Sequence, residues 1–253
     1  MKKPEISNKT YISLSKKESE LLNSVAQMAA FSVPDIKKLT GWRPYTINNA
    51  LSSLAKKGAV VRIKGGVYSV YTKIPENLFA IANKITYPSY IGFWTAFSYY
   101  GCTEQQLRAI QVVSTRQHPS RKVLGHLLEV TAFKPSRFYG YTRERGFSIG
   151  EIEKIVIDSL YKPDKVGGIN ELTKCLKNAW PKVNQRKLYA YARNFGIKSV
   201  FSRLGYILSE LNLKTEIMEK LRRNLPSGFV KLNPEKKTTN KYSREWMVVI
   251  NDW

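Results

Sequence analysis

A chain of 253 residues with 42 Lys plus Arg against 19 Asp plus Glu has a formal charge of +23 and a pI near 9.9, which favours nucleic acid or an acidic surface as partner. Two distant cysteines, Cys102 and Cys175, exclude a disulfide framework and a cysteine-rich zinc site. The most apolar stretch, Tyr87 to Tyr100, is too short and too rich in Ser and Thr to span a bilayer, and MKKPEISNKT lacks the apolar core of a signal peptide, so no membrane partner and a cytoplasmic location are expected.

Residues 1–14 are polar and unpatterned. Ser15-Lys16-Lys17-Glu18 then spells a capping box ahead of Leu21, Leu22, Val25 and Met28, and predicts a packing helix. A second helix opens at Ser32-Val33-Pro34-Asp35 and closes at Gly41. A third is announced by Arg43-Pro44, because the residue before proline avoids the helical region and proline suits a first turn; it ends by Gly58. Ile47, Ala50, Leu51 and Leu54 make an apolar stripe on it, which leaves Tyr45, Asn49, Ser52 and Lys56 on the opposite face, flanked by Thr46 and Asn48. Two β-rich runs follow, joined by Gly65-Gly66, with Arg62 and Lys64 alternating with Val61 and Ile63.

Helix, turn, helix and basic hairpin in this order predict a winged helix-turn-helix. Asn pairs bidentately with adenine, Ser and Thr donate or accept, and Lys and Arg neutralise phosphate. The expected partner is therefore double-stranded DNA, contacted by Arg43, Tyr45, Thr46, Asn48, Asn49, Ser52, Lys56, Arg62 and Lys64. The same residues also suit an ordinary solvated helix face, and it is the hairpin that favours the DNA reading. The basic excess is shared along the whole chain, so charge by itself marks no one face.

Ile74-Pro75-Glu76 starts a connector helix through Leu78, Ile81, Ala82 and Ile85, with a domain boundary near residue 72. The aromatic stretch from Tyr87 to Tyr100 has helical spacing, with 90, 93, 94 and 97 on one side, and reads as core. Ala109 to Ser114 and Leu127 to Phe133 read as strands that pair across a basic loop, whose Arg116, Arg121 and Lys122 are solvated or touch phosphate. Ser148-Ile149-Gly150-Glu151 has the form of another capping box, ahead of an amphipathic helix carrying Asp158. Further helices are expected over 169–179, 185–195, 199–211 and 215–225, and strands over 229–232 and 246–250 around a polar excursion. The architecture is α+β: a winged helix-turn-helix over 1–72 and a mixed α/β C-terminal domain over 73–253.

No catalytic, metal or cofactor site is expected. His118 and His126 have no ligand companion at suitable spacing, and Asp158 reads as a structural acceptor with no lysine or second carboxylate beside it. A metal-dependent nuclease would need an acid followed by an acid-x-Lys on a strand, and Glu235-Lys236-Lys237 offers that pattern only in a polar loop. A pure protein-interaction module is the other alternative.

Four stretches bear a wider resemblance: GAVVRIKGGVYSV at 58–70, IDSLYKPDKVGGINEL at 157–172, FSRLGYILSEL at 201–211 and EWMVVIN at 245–251. In order and spacing the chain resembles the AbiEi family of antitoxin-type transcriptional regulators from phage-defence systems. That resemblance implies a winged helix that binds inverted repeats in its own promoter. It also implies a C-terminal domain that counteracts a nucleotidyltransferase-like toxin without forming a stable complex. By the same resemblance Asp158, Arg203 and Tyr206 are scaffold positions, and solitary relatives act as regulators alone.

Overall fold

The computed structural model describes residues 13–252 apart from 107 and 214, so residues 1–12 of the polar start lie outside the described residues. The fold is mixed α/β and divides into two compact units, one ending at Ile85 and one beginning at Thr86.

In the first unit, α1 (Lys16–Ser24), β1 (Phe31–Ser32), α2 (Val33–Thr40) and α3 (Pro44–Lys56) are followed by β2 (Val60–Lys64), β3 (Val67–Val70) and α4 (Ile74–Ile85). The helix starts follow the local chemistry. Ser15 and Glu18 cap each other's backbone at α1, and Ser32 and Asp35 do so at α2. Gly41 ends α2 in the left-handed region at φ 71°, where a Cβ would be strained. β1, β3 and β2 form an antiparallel sheet in that order, and Leu21, Val25, Phe31, Ile36, Ile47, Leu51, Leu54 and Val60 make its shared core with the helices. α4 belongs to this unit rather than leading out of it. Lys84 on α4 pairs with Asp35 at 3.1 Å, which moves the division from residue 72 to the end of that helix.

The second unit is built on a six-stranded sheet in the order β6-β7-β5-β4-β9-β8. Its strands are β4 (Ser89–Ile91), β5 (Ala109–Ser114), β6 (Arg121–Val123), β7 (His126–Ala132), β8 (Tyr141–Glu144) and β9 (Phe147–Gly150). The expected helix across 87–100 is instead β4 followed by α5 (Phe93–Tyr99), although Tyr90, Phe93 and Phe97 are core residues. β5 and β7 do pair, but in parallel. The reason lies in Leu124 and Gly125, whose φ values of 52° and 84° make a tight turn that folds β6 back on β7 and so points β7 along β5.

The capping box expected at 148–151 is also absent. Residues 147–150 are strand β9, paired in parallel with β4 and joined to β8 through a turn at Arg145 and Gly146, with φ of 45° and 87°. Helix α6 (Ile152–Tyr161) starts only after it, with no side-chain cap. Then come α7 (Ile169–Ala179), α8 (Gln185–Phe195), α9 (Lys198–Glu210) and α10 (Met218–Arg222), close to the expected helices. A small sheet ends the unit: β10 (Val230–Lys231), β11 (Tyr242–Ser243) and β12 (Val248–Val249), ordered β10-β12-β11. No helix among the described residues is long and apolar enough to cross a membrane.

Candidate nucleic-acid interface

The α3 face is set by its own packing. Ile47, Ala50, Leu51 and Leu54 are buried in the first unit's core, which turns Tyr45, Asn48, Asn49, Ser52 and Lys56 outward; all five are exposed, and Thr46 is half-buried at the margin. Tyr45 stands 77% exposed, unusual for an aromatic ring that has a core within one helical turn. Arg43 is the N-cap residue of α3 and makes no side-chain cap, so the first-turn N–H groups have no partner from it.

On the hairpin, Arg62 and Lys64 are exposed while Val60 at its base is buried and Val61 and Ile63 are half-buried. Gly66, at φ 73°, makes the turn, and the pairing slips by one residue between Arg62 and Lys64. Lys64 Nζ also reaches the Ile85 carbonyl at 3.4 Å. The nine predicted contact residues thus lie on two adjoining elements of one unit, and eight of them are exposed.

The charge along α3 and the hairpin is all of one sign. Between Asp35 and Glu76 there is no carboxylate, while Lys37, Lys38, Arg43, Lys56, Lys57, Arg62, Lys64 and Lys73 supply eight cations. The net excess is spread evenly along the chain, and residues 172–209 are likewise free of carboxylates, so it is the exposed faces of α3 and the hairpin, not the sign of the charge, that single out this region. Lys57 is already committed: it pairs with Glu18 at 2.7 Å and donates to the Ser13 carbonyl at 2.9 Å. Between α1 and α3 lies a groove of 510 Å³ lined by Lys17, Glu18, Tyr45, Thr46, Asn49 and Lys57.

That ion pair holds the Glu18 carboxyl well below its usual range. The hydrogen bond from Lys57 is the largest cause, and its pKa falls from 4.5 to about 2. The folded value lies below the unfolded one, so the stability it contributes is complete above pH 4.5 and is lost as pH falls toward 2. Glu18→Gln should therefore flatten the acid limb of the first unit's melting profile between those values. A profile that keeps its full acid slope in the variant would show that Glu18 is not the responsible group.

Elsewhere the expected sites scatter. His126 and the loop residues Arg116 and Lys122 are exposed, whereas His118 and Arg121 are half-buried. Glu235, Lys236 and Lys237 lie in the excursion between β10 and β11, where Lys236 pairs with Asp252. Among the described residues no group of three His, Cys, Asp or Glu stands close enough to hold a metal ion. A separate cleft of 420 Å³ in the second unit is lined by Trp94, Arg108, Gln111, Glu129 and Lys165, none of them a predicted site residue.

Asp158 is not alone. Lys154, one turn earlier on α6, donates to its carboxylate and, at 3.0 Å, to the Tyr90 hydroxyl, which itself donates to Asp158 Oδ2 at 2.7 Å. All three side chains are fully buried, and the rings of Tyr90, Phe133, Tyr139 and Phe195 stand 5.1–5.5 Å from the ammonium. Burial raises the Asp158 carboxyl to about 6 and lowers the Lys154 ammonium from its ordinary value. These hydrogen bonds tie α6 to β4. Arg203 is likewise buried, donating to the Leu160 carbonyl at 2.8 Å and the Lys231 carbonyl at 3.1 Å.

No family model matches this chain, and no curated protein matches it. A solved structure does. The crystal structure of the RV2827C protein from Mycobacterium tuberculosis matches with a TM-score of 0.65 over 94% of this chain and 92% of that one, at 12% identity. At that identity the likeness is one of fold.

Proposed function

We propose that this chain is a DNA-binding transcriptional regulator whose first unit is a winged helix: α3 enters the major groove and the β2–β3 hairpin anchors on the phosphate backbone. The observation that carries the reading is the outward face of α3, with Tyr45, Asn48, Asn49, Ser52 and Lys56 exposed beside a hairpin bearing Arg62 and Lys64, in a 40-residue stretch free of carboxylates. A solvated helix face does not need the exposed tyrosine. We further propose, from the resemblance to AbiEi antitoxins, that it represses its own promoter at inverted repeats. In this reading it also counteracts a nucleotidyltransferase-like toxin without a stable complex.

A duplex from upstream of its own gene should be retarded by the protein and resist competition by random duplex. Equal competition by random duplex would remove sequence-specific regulation. Replacing Arg62 or Lys64 by Ala should weaken binding to both duplexes about equally and make the log-log salt slope shallower by about 0.9 for each phosphate no longer neutralised. An unchanged slope would take the hairpin out of the interface.

A further inference from the structure

The small sheet at the end of the second unit has one face packed and one open. Leu232 and Val248 are fully buried, and the chain entering β12 lays Trp246 against Gly205 of α9. On the other side the pairing aligns Tyr242 with Val249 and Val249 with Lys231, so these three share a face. Phe229, just before β10, reaches over β12 to meet Tyr242 edge to face at 5.1 Å, and the two rings cover Val249, which is 5% exposed. Covering Val249 accounts for their inner sides only: Phe229 remains 45% and Tyr242 50% exposed.

The charge around the rings is mostly positive. From Phe229 to Arg244 there are five cations, Lys231, Lys236, Lys237, Lys241 and Arg244, and one acid, Glu235. Lys236 is bound to Asp252, and Lys237, Lys241 and Arg244 are exposed without an ion-pair partner among the described residues. Exposed aromatic rings amid unpaired cations are what a single strand requires, since unstacked bases present π-faces and its backbone presents phosphates. A duplex hides its base faces.

We propose that the outward face of the β10-β12-β11 sheet binds single-stranded nucleic acid, with bases stacked on Phe229 and Tyr242 and phosphates held by Lys237, Lys241 and Arg244. The site lies in the second unit and does not depend on duplex recognition by α3.

The test is fluorescence anisotropy of the full chain with labelled oligo(dT) and oligo(U), and with random duplex as control. The double variant Phe229→Leu/Tyr242→Leu keeps the cover over Val249 but removes the rings. It should bind the single strands about tenfold more weakly or worse, with the salt slope and duplex binding unchanged. Phe229→Tyr and Tyr242→Phe should bind as the parent does. Lys241→Ala/Arg244→Ala should make the single-strand slope shallower by about 0.7 for each phosphate set free. A preference between the two oligonucleotides would identify the strand as DNA or RNA. Single-strand binding undiminished in the leucine variant overturns the proposal. If that variant loses its fold, an unchanged salt slope in Lys241→Ala/Arg244→Ala overturns it instead.

Discussion

Replacing Lys154 by Met should destabilise the second unit by about 3–5 kcal/mol, the usual cost of leaving one member of a buried ion pair without its partner. Met fills nearly the same space among Tyr90, Phe133, Tyr139 and Phe195, so the loss reports the charge rather than a cavity. The deficit should shrink in acid. Lys154 holds the Asp158 carboxyl down, so without it that carboxyl rises further above its unfolded value of 3.8 than the about 6 it has in the parent. The variant's native state therefore takes up the proton, and is stabilised by it, at a pH where the parent's is still ionised. Adding Asp158→Leu and Tyr90→Phe removes every polar member of the cluster and should recover most of the loss. Calorimetry of the three chains at two pH values decides it. A Lys154→Met chain within about 1 kcal/mol of the parent would mean that the pair is not truly desolvated.

Gly205→Ala should cost about 3 kcal/mol, at the upper end of overpacking penalties. Gly205 lies inside α9, and a Cβ there would fall within the ring of Trp246. The ring has little room to yield: it is 1% exposed and its Nε1 donates to Ser209 Oγ at 2.8 Å. Trp246→Leu would be costly alone, because it empties a large buried volume. Combined with Gly205→Ala it should cost clearly less than the sum of the two, since each change relieves the other. Strict additivity in urea unfolding would show that glycine and ring do not touch.

Gly205 has a structural reason of its own: its helix can hold no side chain where Trp246, just before β12, lies. Much of the first unit is legible because its signals are local. Ser32 and Asp35 cap reciprocally, Gly41 turns left-handed, Pro44 begins a helix, and the apolar stripe of α3 sets its exposed face whatever surrounds it. Sequence and structure part where the partner is distant along the chain. Ser148-Ile149-Gly150-Glu151 satisfies the pattern of a helix cap, yet Ile149 is held opposite Ile91, some sixty residues away, and that pairing wins.

Lys154 escapes a sequence reading for another reason. Opposite charges four apart are commonplace on exposed helices, where they contribute little. In the sequence Glu153, Lys154, Asp158 and Ser159 read as the polar side of an amphipathic helix, and only the structure shows every residue from Ile152 to Leu160 buried. The open face of the last sheet is illegible in the sequence because Phe229 and Tyr242 are brought together only by β12, which follows both.

The central claim is that α3 reads bases while the hairpin holds the backbone, and Asn49→Ala tests it most directly. Anisotropy on the preferred operator and on a scrambled duplex, at one salt concentration, should show a loss of roughly 1–3 kcal/mol on the operator and little on the scrambled sequence. Equal losses on both duplexes, or none on either, would contradict the assignment of sequence recognition to the exposed face of α3.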